Sequence, residues 1–83
     1  MSKTWRPLPV INMVYETIVE ATNNGEKPVL DEEIRVLVEN KYRIKLSDYD
    51  LADILVKLEI LGWISTSSTA KEGLIIKLKR KAD

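Results

Sequence analysis

The side chains with capacity for chemistry are of two kinds. Hydroxyls gather at Ser65-Thr66-Ser67-Ser68-Thr69, and the carboxylates Asp48, Asp50 and Asp53 stand close together. A hydroxyl becomes a nucleophile only when a neighbouring base takes its proton. This chain has no histidine to act as that base, and no cysteine to attack in its place. The hydroxyl run therefore reads as polar loop. The three aspartates have helical spacing and lack the glycine-turned loop that a calcium site needs. Without cysteine there is no disulfide or zinc–thiolate site, and without histidine no imidazole ligand or neutral-pH switch. Three glycines in the whole chain leave no phosphate-cradling loop. The expectation is a protein without metal, cofactor or catalytic activity.

Binding is the remaining class of function, and charge placement is its first clue. The 83 residues hold 13 Lys+Arg and 13 Asp+Glu, so the net charge is zero and gross attraction to DNA or an anionic membrane is excluded. The charges are unevenly spread. Residues 10–40 carry two positive and seven negative charges, while residues 64–83 carry five positive and two negative. Lys77, Lys79, Arg80 and Lys81 cluster near the end, with Lys71 close by, and Lys41, Arg43 and Lys45 form a second basic strip. Either strip can touch phosphates without reading bases. For Lys77 and Lys79 the plainer role, guarding an edge strand against aggregation, comes first. For Lys71, Arg80 and Lys81 the two roles stand level.

These residues must be positioned by the elements around them. A length of 83 residues with 45% hydrophobic and 31% charged residues fits one domain with a small core. Residues 1–9, with Pro7 and Pro9, form an arm. From Val10 to about Asn24 the spacing of Ile11, Val14, Tyr15, Ile18 and Ala21/Thr22 predicts a helix, which Asn23-Asn24-Gly25 ends. Residues 26–30 are a connector or a stub of edge strand. Asp31 caps a second helix, with Glu32 and Glu33 in its first turn and Ile34, Leu37 and Val38 as its apolar stripe; it fades near residues 40–42. Ser47 opens a third helix with a core face of Leu51, Ile54, Leu55, Leu58 and Leu61, and Gly62 ends it. Trp63 to Thr66 and Leu74 to Lys79 alternate as two strands of a hairpin, joined by a polar loop at residues 67–73. Residues 80–83 are a charged tail. No apolar run reaches the length of a signal peptide or membrane span, so a cytoplasmic location is expected. Abundant Ile, Leu and Val with high charge of both signs lean towards a thermophile.

The run Leu58-Glu59-Ile60-Leu61-Gly62-Trp63-Ile64 resembles the end of the third helix where it enters the wing in the winged-helix superfamily. With the order of elements over residues 10–79, the chain is similar to a small archaeal-type winged-helix protein. The resemblance implies an α+β domain of three helices with a C-terminal two-stranded β-hairpin wing. It also implies a role in nucleic-acid handling, and a third helix that commonly enters the major groove.

The third helix is poorly furnished for that task. At 100° per residue its outer face carries Tyr49, Asp53, Val56 and Ile60, with Asp48 and Asp50 in the first turn and Lys57 as the single cation. Carboxylates beside a phosphate backbone cost affinity. Either the outer apolar residues pack beneath the hairpin, the first expectation for Ile60, or they meet a partner, a reading that stands at least level for Tyr49 and Val56. The acidic first turn also serves the helix dipole. Trp5 is read as folding back over the core, with stacking on a base or anchoring a partner as the alternatives. Trp63 is read as core or sheet. The leading expectation is a binding module, adaptor or accessory subunit of transcription or replication machinery. It would dock on protein through Tyr49, Asp53, Val56 and Ile60. Nucleic acid would be contacted non-specifically by Lys71, Lys77, Lys79, Arg80 and Lys81, or by Lys41, Arg43 and Lys45. The alternatives are a small homodimeric DNA-binding regulator and a homodimer formed through the outer stripe.

Overall fold

The structure, a computed structural model, describes residues 9–71 and 73–79. Three helices and three strands follow one another as α1 Val10–Ala21, β1 Val29–Leu30, α2 Asp31–Tyr42, α3 Asp48–Ile60, β2 Ile64–Thr69 and β3 Gly73–Leu78. The class is α+β. The arm residues Lys3, Trp5 and Arg6 and the tail residues Arg80 and Lys81 lie outside the described residues.

Helix α1 starts directly after Pro9, whose carbonyl accepts from the N–H groups of Asn12 (3.0 Å) and Met13 (3.2 Å). Its buried face is Met13, Val14, Thr17 and Ile18, turned from the stripe expected from spacing: Ile11, Tyr15 and Ala21 are only half-buried, while Thr17 hides its hydroxyl by donating to Met13 O (2.8 Å). The helix stops at Ala21 rather than Asn24. Thr22, fully buried, donates to Ile18 O (2.8 Å) and accepts from the Gly25 N–H (3.1 Å). Asn23, Asn24 and Gly25 then take three successive left-handed conformations (φ 54°, 57° and 95°), which Asn and Gly tolerate best.

The sheet is antiparallel with strand order β1-β3-β2, so it has three strands where a two-stranded hairpin was expected. The edge-strand stub becomes β1, which pairs Val29 with Ile76 and Leu30 with Ile75. The residue before Val29 is Pro28, which has no N–H to extend the ladder. Strand β3 is therefore central over Ile75 and Ile76, and the edge-guarding role applies only to the stretch from Lys77 onward. The other free edge belongs to β2. That strand runs to Thr69, further than expected, because Ser67, Ser68 and Thr69 pair with Ile75, Leu74 and Gly73. The polar loop shrinks accordingly.

The first helical residue of α2 is Asp31, and the cap position falls one earlier, at Leu30, whose N–H donates to Glu33 Oε1 (3.0 Å). Asp31 has a different task. Its Oδ1 accepts from the Glu32 N–H (2.8 Å) and from the Leu74 N–H (3.3 Å), tying the start of α2 to the start of β3. The core lies between the helices and the sheet. Its fully buried members include Val14, Ile18, Ile34, Val38, Leu58, Ile64 and Ile76. Two residues expected inside are not: Leu37 and Leu61 are 42% and 52% exposed. Leu61 follows the last residue of α3, where Gly62 (φ 81°) reverses the chain and the Trp63 N–H returns to Leu58 O (3.1 Å). Trp63 and Ile64 take the space on the core side.

Two glycines with positive φ test this arrangement. A Cβ at Gly62 meets nothing within 4 Å, whereas at Gly73 (φ 90°) it comes 2.8 Å from Asp31 Oδ1. Gly62→Ala is expected to cost about 1 kcal/mol through backbone strain alone. Gly73→Ala is expected to cost about 2 kcal/mol or more, because the Asp31 bridge must also shift. Urea unfolding of the two variants measures the difference, and equal losses would show that the Asp31 contact contributes nothing.

Candidate interaction surface

The outer face of α3 follows from its inner face. Leu51, Leu55 and Leu58 are buried, and a helix turning 100° per residue then presents Tyr49, Asp53, Val56 and Ile60 on the opposite side. Tyr49 is 80% exposed, Val56 53% and Ile60 78%. The expectation that Ile60 packs beneath the hairpin is overturned. The reversal at Leu61 and Gly62 carries β2 to the other side of the helix, and Glu59 rather than Ile60 meets it, accepting from Thr66 Oγ1 at 3.2 Å. Among the described residues, the exposed large hydrophobic ones are Val36 and Leu37 on α2 and Tyr49, Val56, Ile60 and Leu61 on α3 and its cap. The apolar exposure thus concentrates on α3.

The aspartates of α3 are less bare than their spacing suggests. Ser47 caps the helix by accepting from the Asp50 N–H (3.0 Å). Asp48 lies 3.7 Å from the Arg35 guanidinium, which also holds Glu32, and Asp53 pairs with Lys57 at 3.0 Å. Each such surface pair adds little stability. Together they leave a stripe that is apolar along its middle and close to neutral overall. They also occupy Lys57, the helix's single cation. No spacing rule links Arg35 to Asp48, since they lie on different helices.

The basic residues divide differently. Lys71, Lys77 and Lys79 are exposed at the hairpin. Lys77 lies opposite Ser65 in the ladder, and the Lys79 N–H donates to Trp63 O (2.9 Å). The second strip does not act as a unit. Lys41 reaches back to both carboxylate oxygens of Glu20 (2.9 Å each) and lies 5.5 Å from the centre of the Tyr42 ring. Arg43 closes α2 in the left-handed conformation (φ 60°), its N–H bonded to Glu39 O (2.9 Å). Arg43 and Lys45 then line a shallow hollow with Glu39 and Asn40. Trp63 is half-buried against the core, its ring 4.9 Å from that of Tyr15 and tilted by 50°.

The hydroxyls of residues 65–69 belong to strand β2, where Thr66 is held by Glu59 and Thr69 donates to Gly73 O (2.8 Å). Among the described residues, no group of three or more acidic side chains is placed to hold a metal ion, and no helix is long and apolar enough to cross a membrane.

The Lys41–Glu20 contact makes a testable electrostatic link between α1 and α2. The hydrogen bond to Glu20 raises the Lys41 amine above its ordinary titration range. A raised amine contributes fully below its ordinary pKa and loses that contribution as pH climbs through the raised one. Glu20→Gln should lower the Lys41 titration point, read by NMR of the side-chain nitrogen. An unchanged titration would show that the pair does not form in solution.

Comparison of the chain with protein-family models, with curated proteins and with solved structures gives no match.

Proposed function

We propose that this chain is a non-enzymatic winged-helix binding module, an adaptor or accessory subunit of a nucleic-acid-handling assembly in transcription or replication. It docks on protein through the outer face of α3. In this reading the β2–β3 hairpin is the wing, and β1 adds a third strand to it. The observation that carries the proposal is the exposed stripe of Tyr49, Val56 and Ile60. It stands where a groove-reading helix would need arginine, lysine or amide side chains to meet base edges. An apolar surface of this kind gains by leaving water against another apolar surface and gains nothing against a phosphate backbone. The placement in nucleic-acid machinery is by analogy of fold.

Nucleic acid, in this reading, is touched by the hairpin. Among the described residues, no acidic side chain pairs with Lys71, Lys77 or Lys79, whereas Lys41 and Lys57 are held by Glu20 and Asp53. Three lysines on phosphates give a weak, sequence-independent and strongly salt-dependent contact.

Duplex DNA binding followed against salt tests both halves. The expected result is weak binding without sequence preference, with log K falling against log salt at a slope of about −3. Lys71→Glu together with Lys77→Glu removes it, and Tyr49→Ala leaves it unchanged. A tagged chain, with nuclease present, should retain a protein partner that Tyr49→Ala or Val56→Asp releases. Tight, sequence-dependent DNA binding that weakens on Tyr49→Ala or Asp53→Ala would overturn the proposal in favour of a DNA-reading regulator.

A further inference from the structure

We infer that the free edge of β2 is a docking edge for an extended, acidic segment of a partner protein, which joins the three-stranded sheet as an added antiparallel strand. The edge lies on a different element from the Tyr49 face, and its use does not depend on that face.

The register decides which backbone groups are open. The Lys79 N–H donates to Trp63 O (2.9 Å), and the register that sets Ile64 opposite Leu78 also sets Trp63 opposite Lys79. Bonded pairs alternate along an antiparallel ladder, so Ser65 exchanges bonds with Lys77, and Ser67 with Ile75. Thr66 and Ser68 then turn their N–H and C=O groups away from β3. Among the described residues, no group meets them there.

The opposite edge of the sheet is treated otherwise. There Ile76 faces Val29 of β1, and the Leu74 N–H, which points the same way, is taken by Asp31 Oδ1 at 3.3 Å. The β2 edge has neither cover nor guard. Its six residues, Ile64–Thr69, include no charged side chain and no proline, and the register runs through them without a bulge. Those are the devices that keep other strands from pairing with an edge. An antiparallel strand laid along β2 gains the paired backbone bonds at Thr66 and at Ser68.

Side chains set the chemistry of that strand. Ile64 and Ile76 are fully buried on the inner face of the sheet, so Ser65, Ser67, Ile75 and Lys77 share the outer face. A residue of the added strand opposite Ser65 lies on that outer face too. Lys77 is exposed and long enough to meet it across the short Ser65 side chain. Lys71, also exposed, stands in the turn that follows β2. Acidic side chains at the outward positions complement this charge. The residue opposite Thr66 lies on the inner face, where Glu59 accepts from Thr66 Oγ1 at 3.2 Å. An acid there would be repelled by Glu59, and a hydroxyl fits. The segment therefore alternates acids outward with neutral polar residues inward. A second copy of β2 offers no acid to Lys77. Lys71 and Lys77 are also the phosphate contacts of the reading above, so the segment and duplex DNA compete for them.

A capped six-residue peptide alternating glutamate and threonine is the probe, added at up to about 1 mM to the full chain and followed by amide NMR. The Thr66 and Ser68 N–H signals should move downfield, and their hydrogen exchange should slow at least about 10-fold, less so as salt rises. A peptide with lysine in place of glutamate should not bind. Ser68→Pro removes an outward N–H and no ladder bond, so it should keep the circular dichroism of the fold and lose the peptide. A peptide N-methylated at its threonines, whose N–H groups would face β2, tests the same pairing without altering the chain and should also fail to bind. Thr66 and Ser68 signals that stay in place at the highest peptide concentration overturn the inference. So does binding that survives Ser68→Pro or the N-methyl groups, or that is equal for the lysine peptide. Binding lost on Tyr49→Ala would put the peptide on α3 and overturn it too. Protection of the Thr66 and Ser68 amides that rises with chain concentration, without peptide, would assign the edge to a second copy instead. The reading of the α3 face fails separately, when a nuclease-treated capture holds no protein that depends on Tyr49.

Discussion

One side of α3 can reach the core, and only one. Leu51, Leu55 and Leu58 are committed to it, and helical geometry then turns Tyr49, Val56 and Ile60 towards water. A hairpin folded over the same helix would cover such a face. Here the chain reverses within Leu61 and Gly62, the Trp63 N–H bonds to Leu58 O, and Ile64 enters the core fully buried. The sheet is thereby held to the inner side of the helix layer. The exposed stripe is a consequence of the same packing that closes the core, and it cannot be buried internally without giving up Leu55 or Leu58.

Electrostatics follow that division. The zero net charge of the chain resolves into an acidic pair of helices and a basic hairpin. The acidic side is partly neutralised by pairs that reach across or along helices: Lys41 with Glu20, Arg35 with Glu32 and Asp48, Lys57 with Asp53. These exposed pairs contribute little to stability. Their effect on surface character is larger, because Arg35 and Lys57 are engaged by the aspartates of α3. Among the described residues, Lys71, Lys77 and Lys79 give the hairpin a positive surface. An apolar, nearly neutral face and a basic face thus lie on different elements.

Much of the fold was legible in local chemistry. Asn23-Asn24-Gly25 announces the end of α1, since three left-handed residues in a row suit few other side chains. Ser47 announces α3 by its hydroxyl, and the spacing of Leu51, Leu55 and Leu58 announces its core face. The failures lie where long-range contacts decide. Leu61 fits the helical core pattern, but it stands one residue past the helix end and one before the Gly62 reversal. Ile60 looks coverable until the direction of that reversal is known. The hydroxyls of residues 67–69 have no strand pattern of their own and are extended because β3 pairs with them. The candidate surface at Tyr49, Asp53 and Val56 was readable from the helical wheel. The pairing of Arg35 with Asp48, and the diversion of Lys41 to Glu20, were not, because sequence separation says nothing of which helix faces which.

The two surfaces are joined through a short set of contacts. The Trp63 segment links them: its N–H is bonded to α3 through Leu58 O, its carbonyl to the end of β3 through the Lys79 N–H, and its ring rests against Tyr15 of α1. At the other end of β3, the Asp31 carboxylate fixes Leu74 to the first turn of α2, while Gly73 leaves the space that the carboxylate occupies. Strand β3 is thus fastened to the helical layer at both ends and paired to β1 in between. The outer face of α3 is thus connected through Trp63 to the end of β3 that carries Lys77 and Lys79.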